Sequence, residues 1–108
     1  MNGNRDAGGS GGQGFAADAA GARWTYAGAL TFAEAGSVLT AASALALPRD
    51  GLVVDCSGIG AFDSSAVAVL LALERRAAAE GRGIAFVGLS PRLEALAALY
   101  GVEEMLAG

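Results

Sequence analysis

Hydrophobic and polar positions along the chain change period several times, and each change marks an element. Residues 22–30, ARWTYAGAL, set Trp24 and Tyr26 at alternate positions among β-formers and predict a strand. From Phe32 the period lengthens. Phe32, Ala35, Val38, Leu39, Ala42 and Leu45 recur at helical spacing, and Thr31 with Glu34 forms a capping-box signature in front of them. Pro48-Arg49-Asp50-Gly51 ends that helix and turns the chain. LVVD, residues 52–55, is a short continuous apolar run, which predicts a strand buried on both faces and so a parallel sheet. CSGIGAF, residues 56–62, reads as a loop. The next helix is expected from about Ser65 to Glu80, with Val67, Leu70, Leu71 and Leu73–Glu74 on a broad apolar face, Arg75 and Arg76 in solvent, and Gly81 as its stop. GIAFVG, residues 83–88, predicts a second buried strand, which makes 52–88 a βαβ unit.

The last helix is announced by Ser90 as its cap and Pro91 at its first position. Leu93, Leu96, Ala97 and Tyr100 form its expected inner stripe, and Gly101 its stop, before a short turn in VEEMLAG. The order β, α, β, α, β, α predicts an α/β fold: a small mixed sheet with helices packed on it. Residues 15–21 are ambiguous and suit a frayed first edge strand. Residues 1–14 hold six glycines and almost nothing apolar, so they are expected to form a disordered tail ahead of a single domain at 15–108.

Composition adjusts this picture in three ways. Hydrophobic residues are 54% of the 108, but many are alanine, so the core is expected to be lean, built on leucines, valines, Trp24, Phe32 and Phe86. The net charge of −4, with its basic residues scattered, offers no basic patch for nucleic acid. The longest apolar run of note, Ala66–Leu73, is eight residues, where a membrane span needs about 20, and the N-terminus has no secretory apolar region.

The chemistry that is missing matters as much. There is no His, and all seven basic residues are Arg. The commonest general base, the commonest zinc ligand, the Schiff-base amine and the P-loop lysine are therefore absent, which argues against an enzyme, a metal site or a bound cofactor. The single cysteine, Cys56, makes no internal disulfide and reads as a small hydrophobe; it is compatible with a reducing cytoplasm. GIGAF at 58–62 lacks the spacing of a phosphate loop. Trp24 reads as core packing, and Asp55 as a strand end.

Asp63-Ser64-Ser65 stands at the front of the second helix. Asp or Ser at a helix start accepts hydrogen bonds from free N–H groups, an arrangement that contributes about 1 kcal/mol whether or not it has a function. The same place suits a modifiable hydroxyl. A phosphate there would face N–H donors and the positive end of the helix dipole, while adding about −1.5 to −2 charge to the surface. Unmodified, the hydroxyls offer a compact polar contact to a partner. Nucleophilic catalysis has no His or Lys to take the proton.

Taken together, VVDCSGIGAFDSSAVAVLLAL and GRGIAFVGLSPRLEALAALYGVEEML resemble the STAS domain, the fold of anti-sigma-factor antagonists, over about residues 22–107. The signature is Val53-Val54-Asp55-Cys56-Ser57 followed by Asp63-Ser64-Ser65-Ala66-Val67. GALTFAEA, the GLSPRLEALAALYGVEEML ending and the compact length look like the Mla type, the small cytoplasmic subunit of a phospholipid ABC transport system. That resemblance implies a subunit without catalysis that binds the ATPase, contacts it through Asp63, Ser64 and Ser65 with Ser64 central, and lies beside the inner membrane through its partner. The anti-sigma antagonists imply instead a phosphoswitch at Ser65, read by an anti-sigma factor that is also a serine kinase. Ala66 stands where the motif usually has glycine and Val67 where leucine is common; the Ala66 methyl is expected at a point of close partner approach, which weakens phosphorylation more than docking.

Overall fold

The computed structural model describes residues 14–100. The chain opens with an antiparallel pair, β1 (Gly14–Ala17) and β2 (Arg23–Leu30), in which Phe15 lies opposite Tyr26 and Ala17 opposite Trp24. Asp18 makes the turn between them. Its Oδ1 accepts from the N–H of Ala22 at 2.9 Å and of Arg23 at 3.3 Å. The edge strand expected within 15–21 is thus present, and Gly14, assigned from sequence to the tail, is its first residue. The rest of that tail lies outside the described residues.

Next come α1 (Phe32–Ser43), β3 (Leu52–Asp55), β4 (Ile59–Phe62), α2 (Ser64–Ala79), β5 (Ile84–Val87) and α3 (Pro91–Leu99). The sheet runs β1-β2-β3-β5, with β3 parallel to both β2 and β5. The fold is α/β with a mixed sheet, and β3 and β5 are the adjacent parallel strands of the expected βαβ unit. One segment differs from expectation. Residues 59–62, read as loop, form β4, which pairs parallel to the far end of β2, with Gly28 opposite Ile59 and Leu30 opposite Phe62. Gly58 makes this possible. Its carbonyl accepts from the Gly28 N–H at 3.1 Å, and a Cβ there would collide with the Tyr26 carbonyl oxygen.

Alternation along β2 divides the sheet into two faces. Trp24, Tyr26, Leu52, Val54 and Phe86 are buried on one, together with Val38, Val67, Leu70, Leu73 and Leu93 from the helices. Arg23, Thr25 and Ala27 stay exposed on the other. Each fully buried Leu, Val or Phe contributes about 1.5–3 kcal/mol. Cys56 and Trp24 are in this core as expected, with Cys56 2% and Trp24 0% exposed. The expectation of burial for LVVD holds for Leu52 and Val54, whereas Val53 and Asp55 are only half-buried.

Three sequence expectations about side chains need correction. Phe32 is not core: at 83% exposure it stands outside, because it occupies the first residue of α1, before the helix passes over the sheet. Tyr100 is 58% exposed and caps α3 rather than joining its inner stripe, of which Leu93 and Ala97 are buried. Arg76 does not point to solvent. Its Nη1 donates to the Ala42 carbonyl at 3.1 Å and its Nη2 to the Leu45 carbonyl at 2.7 Å, so the guanidinium closes the C-terminal end of α1. α1 has no basic residue of its own in its last turn. α2 ends as its sequence predicts, on Gly81 at φ +69, with the Gly81 N–H bonded to the Ala78 carbonyl and the Arg82 N–H to the Ala77 carbonyl. The turn expected in VEEMLAG lies outside the described residues.

Candidate docking site at the start of the second long helix

β4 delivers the chain to Asp63, which adopts extended dihedrals and caps α2. Its Oδ1 accepts from the Ser65 N–H at 2.8 Å. That much the sequence predicts. The second oxygen does something it does not. Oδ2 accepts from the Phe32 N–H at 3.0 Å, so one carboxylate serves the N-termini of both α1 and α2. These N–H groups, Phe32's first and Ser65's second, hold the Asp63 carboxyl below its ordinary range.

α1 has its own cap beside it. The Thr31 hydroxyl accepts from the Ala33 N–H at 3.3 Å, and Glu34 Oε1 accepts from the Thr31 hydroxyl at 2.6 Å and the Thr31 N–H at 2.7 Å. These bonds lower the Glu34 pKa, the hydroxyl's foremost, while the nearby charge of Asp63 opposes the shift. Two ionised carboxylates therefore sit close together where two positive helix ends converge.

Ser64 is the first residue of α2 and is exposed; Ser65 is half-buried, with its N–H committed to Asp63. Ser64 also lines an apolar groove of about 380 Å³, walled by Val67, Ala68, Leu71 and Tyr100. Three expected site residues are thus brought together, and the groove and Phe32 are additions. The signal for the groove was in the sequence. Ser64, Val67, Ala68 and Leu71 form an i, i+3, i+4, i+7 stripe, but α2 has a second stripe of Ala66, Val69, Leu70, Leu73 and Ala77 that fills the core. The Ala66 methyl is not at a point of partner approach, because Ala66 is fully buried.

Asp55 and Asp63 do not form a carboxylate pair. Asp55 Oδ1 accepts from the Ser57 hydroxyl at 2.7 Å and the Ser57 N–H at 2.9 Å, and Oδ2 from Arg23 Nη2 at 2.9 Å. The Ser57 bonds, followed by Arg23, hold the Asp55 carboxyl down to about 2. Gly88, at φ +72, fits close over this turn: a Cβ would lie 2.9 Å from the Ser57 nitrogen. Burial pushes the Cys56 thiol up to about 12, which leaves it un-ionised at neutral pH. Among the described residues no group of three or more His, Cys, Asp or Glu could hold a metal ion, and no helix is long and apolar enough to cross a membrane.

The site therefore offers a fixed loop, an exposed hydroxyl and apolar walls, an arrangement suited to binding a macromolecule. No curated protein matches the chain. A family model described as "Mlab, STAS domain" matches residues 15–107, and the chain belongs to the STAS domain family.

Proposed function

We propose that this STAS domain is a non-enzymatic regulatory and assembly subunit that docks, through Asp63, Ser64 and Ser65, onto the cytoplasmic ATPase of an ABC-type phospholipid transport system. The observation that carries this reading is the placement of Ser64: an exposed hydroxyl on a doubly pinned helix start, at the rim of an apolar groove. Asp63 holds the loop, Ser64 supplies the central polar contact, and the groove receives an apolar partner group. The Mla description of the matching family supports the choice of an ATPase as partner. The burial of the Ala66 methyl removes the objection that residue raised to a phosphoswitch at Ser65, but Ser64 remains the more accessible hydroxyl, which favours docking. The chain would sit in the cytoplasm, beside the inner membrane through its partner.

Titration calorimetry of the chain against the purified ATPase subunit of such a transporter from the same organism tests this. Ser64→Arg is expected to abolish binding and Ser64→Ala to weaken it about tenfold or more, as for a central interface contact. Wild-type affinity in Ser64→Arg, Ser64→Ala and Ser65→Ala alike would remove the site from consideration. Intact-mass analysis of the chain purified from its own host addresses the alternative directly, since a phosphate on Ser65 would favour the switch.

A further inference from the structure

We infer that the docking surface extends on both sides of the serine, to Phe32 and to the groove floor, and that its occupant is a segment of a different protein carrying a large apolar side chain next to an arginine or lysine. This rests on the docking reading and specifies what that site accepts.

Two exposed apolar features adjoin the motif. On one side the chain neighbour Asp63 is bonded to the backbone of Phe32, so an 83% exposed aromatic ring is attached to a backbone fixed at 3.0 Å from the motif carboxylate. On the other side Ser64 forms the rim of the groove walled by Val67, Ala68, Leu71 and Tyr100. A cavity of about 150 Å³ accepts a benzene ring. The groove, at about 380 Å³, therefore has room for a leucine or phenylalanine side chain. Aromatic anchors and filled pockets near the centre of a patch carry most of the energy of protein interfaces.

Charge selects the kind of partner. Hydrogen bonds from Thr31 to Glu34 and from the Phe32 and Ser65 N–H groups to Asp63 hold both carboxylates in the ionised form, and the charge of Asp63 is felt at Glu34. Among the described residues neither carboxylate is in an ion pair, and Arg92 of α3 places its guanidinium over the Phe62 ring, 5.9 Å from its centre. A second copy docking by this surface would bring like charges face to face, which destabilises an interface. A partner with arginine or lysine beside its apolar anchor meets the carboxylates with opposite charge, and arginine is enriched in such interfaces.

The test is calorimetry of the full-length chain against the same purified ATPase subunit, at low and high sodium chloride, with sedimentation of the chain alone. Phe32→Ala and Ala68→Glu alter exposed positions, leave the Phe32 N–H in place, and are expected to retain the wild-type circular dichroism spectrum. Each is expected to weaken binding tenfold or more, affinity is expected to fall with salt, and Arg49→Ala, on the turn after α1, is expected to bind as wild type. If Phe32→Ala and Ala68→Glu bind within about twofold of wild type while Ser64→Arg blocks binding, the extended surface is wrong and the docking reading stands. Salt-independent affinity would overturn the basic partner. Self-association of the chain that is lost in Ala68→Glu would make the occupant a second copy. Failure of the wild type to bind the ATPase would remove both the docking reading and this extension of it.

Discussion

Replacing Arg76 with alanine tests the packing logic most directly, because its neighbour Arg75 serves as a control with the same charge. Arg76 bridges two helices: its two terminal nitrogens donate to the carbonyls of Ala42 and Leu45, at 3.1 and 2.7 Å, and its Nε lies 3.1 Å from Glu80 Oε2. A hydrogen bond from a charged donor contributes about 1.5–3 kcal/mol. The Arg76 side chain is 26% exposed, so water takes over part of the loss in the variant. The exposed pair with Glu80 adds about 0–1 kcal/mol. A total of about 2 kcal/mol is expected, because two partly shielded carbonyl bonds and the favourable dipole at the end of α1 are lost together. In a domain of this size that lowers Tm by about 10 °C. Thermal denaturation followed by circular dichroism and urea titration measure it, with the urea midpoint expected to fall at unchanged slope. Arg75→Ala, at an exposed position, is expected to stay within about 0.5 kcal/mol of wild type. If Arg76→Ala were no less stable than Arg75→Ala, the guanidinium would not be holding the end of α1.

Acid stability should report on Asp55. Its folded pKa is depressed to about 2, so its contribution is present above the unfolded value of about 4 and is lost as pH falls between those two values; Asp55→Asn is expected to flatten the stability profile across that window, and an unchanged profile would show that the Ser57 and Arg23 bonds carry no weight. Gly58→Ala forces a methyl against the Tyr26 carbonyl and should cost about 1–3 kcal/mol in urea unfolding, unlike Gly36→Ala on α1, where the added methyl meets open space.

Local signals in the sequence were reliable wherever a few neighbouring residues decide the geometry. Thr31 with Glu34, Asp63, Ser90-Pro91 and Gly81 mark their helix ends correctly because capping is a contact within one turn. β4 escaped notice because Ile59–Phe62 is only four residues long and acquires its extended form from the end of β2, some thirty residues away in sequence. Phe32 fits the helical period of α1 but precedes the part of the helix that crosses the sheet, and a period does not say where a partner surface starts. Arg76 was legible as a charge, and a charge near a helix end is ordinarily solvated; that the carbonyls of α1 stand opposite is a tertiary fact. At the site, Asp63 as a cap was a local matter, whereas its second bond, to Phe32, spans 31 positions and exists only once the two helix starts converge.

β2 has a consequence for the order in which the molecule can be assembled. Its first half pairs with β3 and its last half with β4, while β1 lies along its other edge. During synthesis β2 leaves the ribosome well before either parallel partner. Until residue 62 has emerged, one side of an eight-residue strand bearing Trp24 and Tyr26 stands open. For that interval a neighbouring nascent chain can occupy the place meant for β3 and β4. The wait for the middle third of the chain is thus an interval of exposure, and a synonymous change that stalls translation between Leu30 and Phe62 should raise aggregation without altering the finished fold.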